Sequence, residues 1–198
     1  MSSIQERIVI RPLIAAMLCA VCGLAALGCT LFNKYGAASL KGHPDSTGFV
    51  VVDSRVDVIA AILDVHTVGM ASGGVLARAD GEHETAHAGM AEDLLVFSGL
   101  HPGRWQLVSI DGVWAAGRNP ANQRFHVPAD QARELTFDVR AGEPVYLGVV
   151  DIVNDRRVAS QGVRFQLKPD PAAEKKAWTT LAKIYGDGEW GTPLRAKL

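Results

Sequence analysis

The pattern of apolar and polar positions divides the chain into three stretches. Pro12 to Leu27 reads PLIAAMLCAVCGLAAL, without a charge. Residues 30–48 read TLFNKYGAASLKGHPDSTG, dense in Gly, Ser, Pro and Asn and without a period. Such a stretch predicts a tether. From Gly48 onward the pattern is that of strands. Apolar runs at Phe49–Val52, Val56–Val65, Gly73–Ala77, Leu94–Phe97 and Trp105–Ile110 each have strand length. Leu135, Phe137 and Val139 alternate with Thr136, Asp138 and Arg140, the signature of a half-buried strand. Val145–Val153 is nearly all apolar and predicts a central strand. Asn154-Asp155 predicts a turn, after which Val163, Phe165 and Leu167 alternate with Arg164, Gln166 and Lys168. The prediction is a mainly β chain, an antiparallel sandwich or barrel of seven or eight strands.

The last thirty residues change period. Asp170-Pro171 supplies an N-cap and a proline at the first helical position. Trp178, Leu181, Ala182 and Tyr185 then fall on one face at i, i+3, i+4 and i+7, with Lys175, Lys176, Thr179 and Lys183 opposite. Gly186 is placed to end a helix over 171–185. Packing of Trp178 and Tyr185 on the sandwich, with Trp190 nearby, is the expected use of this face. Contact with a partner is the alternative.

Charge and cysteine usage narrow the function. The chain has 198 residues, 20 of them basic and 21 acidic. If the first 28 are removed, Arg7, Arg11 and Glu6 go with them, leaving 18 basic and 20 acidic residues. A domain so close to neutral has no electrostatic footprint for nucleic acid and no polybasic run for anionic lipid. Cys19, Cys22 and Cys29 are the only cysteines. Residues 30–198 therefore hold no disulfide, thiolate metal site or cysteine nucleophile.

The beginning of the chain has the layout of an export signal: Arg7 and Arg11, a short apolar stretch, then small residues before a cut. Ala26-Leu27-Gly28-Cys29 resembles the lipobox of bacterial lipoproteins. The resemblance implies cleavage between Gly28 and Cys29, a diacylglycerol on the Cys29 thiol, and no cofactor other than that covalent lipid. Leu and a small residue usually stand three and two places before the cysteine; here Ala26 and Leu27 stand there. Thr30 in place of the Asp that retains enterobacterial lipoproteins in the inner membrane implies the outer membrane, facing the periplasm. An uncleaved anchor over 13–32 is the other reading, and it too puts the domain outside the cytoplasm. The expected organisation is a signal helix at 1–28, a flexible tether at 29–48 and a sandwich domain with its helix at 49–198.

Phe97-Ser98-Gly99-Leu100-His101-Pro102-Gly103-Arg104-Trp105-Gln106-Leu107 resembles a segment of prealbumin-like sandwiches of the carboxypeptidase-regulatory type. There a strand ends at Gly-Leu, Pro-Gly makes the turn and an aromatic residue opens the next strand. Proline fixes φ at the first turn position and glycine supplies a positive φ after it. Val139 to Gly148, with its Gly142-Glu143 turn, is similar to segments of lipoproteins of unassigned role. Both are turn motifs and specify no activity.

One motif points to catalysis. His83-Glu84-Thr85-Ala86-His87 fits H-E-x-x-H, which on a helix sets two imidazoles over one Zn²⁺ with the glutamate to activate water. Gly81 and Gly89 bracket it and no apolar stripe supports a helix, so a polar surface loop is the simpler expectation. Gly186-Asp187-Gly188-Glu189-Trp190-Gly191 fits G-x-G-x-x-G, but a helix precedes it where a dinucleotide site needs a strand. His66, His101 and His126 are scattered, and nothing in the sequence joins Asp138, Asp151 and Asp155. Arg156-Arg157 suits a charged hairpin tip. The expected function is a non-enzymatic binding or accessory module of the cell envelope. It would be held by lipid on Cys29 and would have an envelope protein as partner. The alternatives are a zinc-dependent hydrolase using His83, Glu84 and His87, and a small-ligand carrier with a pocket between sheet and helix.

Overall fold

The computed structural model describes residues 39–59, 66–116, 119–155 and 162–198. The expected signal helix, Cys29 and the first part of the tether lie outside these residues. Among the described residues the strands are β1 (Gly48–Ile59), β2 (His66–Arg78), β3 (Thr85–His87), β4 (Gly89–Ala91), β5 (Leu94–Leu100), β6 (Gly103–Ala116), β7 (Asn119–His126), β8 (Thr136–Val139), β9 (Pro144–Asp155) and β10 (Val163–Lys168). Two helices follow, α1 (Pro171–Tyr185) and α2 (Gly191–Arg195). The chain is thus mainly β with a C-terminal helix, as its pattern predicts.

β1 organises the sandwich by changing partners along its length. Its first half pairs antiparallel with β5, from Gly48–Leu100 to Asp53–Leu94. Its second half pairs antiparallel with β2, from Arg55–Met70 to Ile59–His66. One layer is therefore β10-β9-β1-β5-β4 and the other is built on β2 and β6, with β3, β7 and β8. The expected antiparallel order holds for every pair but one: β9 runs parallel to β1 from Phe49–Pro144 to Ile59–Asp155. A parallel pair needs a long crossover, and most of the domain separates these two strands.

Alternation along β1 gives the two cores. Val50, Val52, Val56 and Val58 point between the layers, where they meet Leu76, Phe97, Trp105, Ile110, Phe125, Ile152 and Phe165. Phe49 and Val51 point the other way, beneath α1 and α2, onto Trp178, Leu181, Trp190 and Leu194. Both faces of this half-strand are covered, which is why the run Phe49–Val52 has no polar alternation. Each fully buried side chain of this size contributes about 1.5–3 kcal/mol.

Several boundaries differ from the pattern. The expected strands at Phe49–Val52 and Val56–Val65 are one strand as far as Ile59. The polar residues between them do not break it, because Asp53 and Arg55 fall on the outer face. Asn154-Asp155 is no turn: Asn154 pairs with both Val58 and Val163, and this ladder carries β9 through Asp155. β3, β4 and β7 were not expected, which raises the strand count from seven or eight to ten among the described residues. The Pro102-Gly103 step makes no hairpin. β5 pairs with β1 and β4 while β6 pairs with β2, so the step carries the chain from one layer to the other. Trp105 is fully buried after it, as expected.

Two sides of the sandwich are bridged. On one side residues 85–91 cross from β2 to β5, with the Ala88 N–H donating to the Gly74 carbonyl at 3.0 Å. On the other, the Gln131 side-chain oxygen accepts the outward N–H of Phe165 in β10 at 2.8 Å. Edges blunted in this way do not invite strand addition.

α1 starts where its caps place it. The Asp170 carboxylate accepts the N–H groups of Ala172 and Ala173, both at 3.0 Å. Trp178 and Leu181 are buried against the sheet, and the Trp178 indole N–H donates to Glu174 at 3.1 Å. The last part of the expected tether belongs to the domain. Leu40 packs on the core beneath the helices, the Lys41 N–H donates to Ser98 Oγ at 3.0 Å, and Gly42 accepts the Trp190 indole N–H at 3.2 Å.

Candidate functional site

The residues singled out for zinc are not arranged for it. Thr85–His87 is a strand, paired residue by residue with Val75–Ala77, and His83 precedes it outside any helix or strand. The helical stacking of His83 over His87 that the motif requires is therefore absent, because pairing with β2 overrides any local helix. Glu84 faces elsewhere: its carboxylate meets His101 Nδ1 at 2.8 Å and the Arg78 guanidinium at 3.7 Å. Among the described residues no group of three or more His, Cys, Asp or Glu side chains is placed to hold a metal ion.

Arg78, at the end of β2, fastens this corner instead. Its side chain is only 7% exposed and forms a two-pronged pair with Asp80. It also donates to the Pro102 carbonyl at 3.1 Å, lies 3.7 Å from Glu82, and stands 5.6 Å from the centre of the Trp105 ring. Gly103, with φ +146°, leaves room for it; a Cβ there would lie 2.5 Å from the guanidinium. Hydrogen bonding to Arg78 holds the Asp80 carboxyl down to about 2. The segment around the motif, expected as a polar surface loop, is thus tied to the sandwich at its start.

The other nominated groups do not converge. Asp151 pairs with Lys168, Asp138 lies exposed on β8, and His126 is exposed at the end of β7. Arg156 and Arg157, like Gly28 and Cys29, lie outside the described residues. The helix is no free surface on its apolar side, since Phe49 meets Trp178 and Trp190 with ring centres 6.5 and 4.8 Å apart. Those same side chains pack between sheet and helix, where a ligand carrier would place its pocket.

A half-buried polar group sits at the rim of α1. Asp53, on β1, has its carboxyl pushed up, first by burial and then by the nearby Asp93 charge. Asp93 itself pairs with Lys176 of α1 at 3.0 Å. The Tyr146 hydroxyl, on β9, has no hydrogen-bond partner among the described residues, and burial and Asp53 push it up.

Beyond that rim the sheet continues. The helices pack over the first half of β1, and the order β10-β9-β1-β2-β6-β7 runs on past them. One row across it runs Gln166, Asp151, Arg55, Met70, Val113 and Asn122. The next runs Arg164, Val153, Asp57 and Val68. Val68 is 77% exposed and Met70 45%. Ion pairs flank them, Lys168 with Asp151 on one side and Arg124 with Asp111 at 2.6 Å on the other.

Sequence reasoning missed this face, although a signal was present. In Thr67-Val68-Gly69-Met70-Ala71 the small residues alternate with the large apolar ones. Ala71 faces the core, and a Cβ on Gly69 would lie 2.9 Å from that of Trp114. Small residues are thus turned inward to admit Trp114, which sends Val68 and Met70 outward.

No family model matches the chain, and no curated protein matches it. Among solved structures it is similar to a protein of Bacteroides fragilis provisionally described as a cell adhesion protein, at 10% identity and a TM-score of 0.29. The likeness covers 64% of this chain and 46% of that one, so the chain spans less than half of that protein's length. A likeness this slight carries no argument about function.

Proposed function

We propose that the chain is an exported lipoprotein, held on a membrane by lipid on Cys29, whose sandwich serves as a non-enzymatic binding or accessory module of the cell envelope. The observation that carries this is the run from Arg7 and Arg11 through the uncharged Pro12–Leu27 to Gly28-Cys29, ahead of a sandwich to which the chain is already fastened at Leu40–Gly42. In this reading the N-terminal stretch exports and the acylated Cys29 anchors. The neighbouring exposed side chains of Val68 and Met70 support the binding half of the reading, as apolar groups open to a partner.

Mass spectrometry of the membrane-extracted protein tests the anchor. The expected N-terminal peptide begins at Cys29 and carries a diacylglycerol, and Cys29→Ala releases the protein from the membrane. An intact, unmodified peptide across residues 13–32 in the membrane fraction would establish an uncleaved anchor instead.

A further inference from the structure

We propose that α2 and residues 39–47 form a clasp between the two ends of the described chain, which opens and closes as one unit while the sandwich stays folded.

Neither half of the clasp holds its place alone. α2 has only the five residues Gly191–Arg195, and the Trp190 side chain at its start makes no capping bond. A helix that short does not persist in water without packing. Of residues 39–47 only Thr47 is buried, with Leu40 and Pro44 half-buried. An exposed entering segment is ordered only where something ties it down. Here the two halves tie each other. The Trp190 indole N–H donates to the Gly42 carbonyl at 3.2 Å, and Leu40 packs into the cluster that holds Trp190 and Leu194. Contacts shared in this way couple the halves reciprocally, so that loosening either one loosens the other.

The remaining ties are few, and none is a strand pairing. The Lys41 N–H donates to Ser98 Oγ at 3.0 Å, and Ser98 Oγ donates to the Ser39 carbonyl at 3.4 Å. The Thr47 carbonyl accepts the Gly142 N–H at 3.0 Å, and Arg195 donates to the Gly186 carbonyl at 2.7 Å. β1 begins at Gly48, and from Phe49 it is paired with β5 on one edge and β9 on the other. Opening the clasp therefore leaves every ladder intact, as expected of a contiguous low-stability unit at the end of a fold. Where Cys29 is anchored, as proposed above, opening lengthens the free chain ahead of β1 by residues 39–47, at most about 30 Å. The clasp itself needs no lipid.

Gly42 offers a way to open the clasp without touching α2. It has φ +78°, and a Cβ there would overlap the Thr47 side chain. Amide exchange of the full-length protein in detergent tests the coupling, with trypsin cleavage after the exposed Lys41 as a second readout. Both track the population of the open form when reclosing is fast. Gly42→Ala should speed exchange in α2, on the far side of the clasp, by about fivefold or more. Trp190→Phe should speed exchange at residues 39–47 and cleavage after Lys41 by roughly two- to tenfold. Exchange in β1, β5 and β9 should not change in either variant. Ile152→Val, which weakens the core between the layers, should leave the clasp as it is in the wild type. Unchanged α2 exchange in folded Gly42→Ala would overturn the coupling. Acceleration by Ile152→Val as large as that by Trp190→Phe would overturn the separate opening, since the segment would then be freed only when the whole domain unfolds. Neither readout involves Cys29, so failure here leaves the anchor standing.

Discussion

Trp190 stands edge-on to Phe49, with ring centres 4.8 Å apart and planes at 81°. Its indole N–H reaches the Gly42 carbonyl, so one side chain joins α2, β1 and the segment that enters the domain. Both rings are buried, Trp190 at 3% exposure. Trp190→Ala should cost about 3–5 kcal/mol, because the cavity cannot collapse against a sheet. Trp190→Phe keeps the ring contact but loses the bond to the exposed Gly42, and should cost about 0.5–1.5 kcal/mol. Urea denaturation checks both. A cost below about 1 kcal/mol for the alanine variant would mean that α2 frays independently of the sandwich.

The Arg78–Asp80 pair gives an acid signature with a definite sign. The Asp80 carboxyl titrates at about 2 in the folded protein against an ordinary 3.8. A depressed carboxyl contributes stability that is fully present above 3.8 and is lost as pH falls toward 2. Asp80→Asn should remove that part of the acid slope, so melting temperatures of the variant should fall less steeply than those of the wild type between pH 4 and about 2. The variant should also speed amide exchange at residues 79–84, since Asp80 holds the guanidinium that fastens this loop. Identical slopes would show that Glu82 and Glu84 take over the pairing.

What was legible in the sequence was local. The α1 boundaries follow from Asp170, Pro171 and Gly186, each acting within one helical turn. The Gly142-Glu143 turn and the burial of Trp105 are likewise set by neighbouring residues. What was not legible depends on distant partners. Asn119–His126 holds a proline and several polar residues and becomes a strand only because β6 supplies its ladder. Asn154-Asp155 has turn chemistry, yet Val58 and Ile59, nearly a hundred residues earlier, hold it extended. The same rule separates the site residues. His83, Glu84 and His87 match a pattern whose meaning depends on a helix, and β2 makes the segment a strand. Val68 and Met70 become conspicuous only once Trp114 is known to lie behind Gly69.

The non-helical form of residues 83–87 makes a prediction about metal. The segment lacks the helical turn that would set His83 over His87, no third ligand stands beside them among the described residues, and Glu84 is engaged by Arg78 and His101. Zn²⁺ should therefore bind the purified protein no more tightly than it binds His83→Ala, and His87→Ala should behave alike. Equilibrium dialysis with both variants checks this. One zinc per chain, lost in His83→Ala, would require the segment to rearrange and would revive the hydrolase reading.

Asp53 should behave oppositely to Asp80. Burial and the Asp93 charge raise its carboxyl above 3.8, so the ionised form costs stability wherever the group is charged in the folded protein. That cost is relieved as pH falls through the raised value toward 3.8. Asp53→Asn keeps the shape and removes the charge, while Lys176 keeps its pair with Asp93 at 3.0 Å. The variant should be more stable than the wild type at neutral pH. Because the group is half-buried at a rim that solvent still reaches, the gain should stay below about 1 kcal/mol. The difference should shrink as pH falls through 3.8 and vanish below it, where both proteins carry a neutral side chain there. Thermal melts of the two proteins from pH 7 to pH 3.5 check the sign. A variant less stable at neutral pH would mean that Arg55 and Lys176, which favour the charged form, outweigh burial and Asp93.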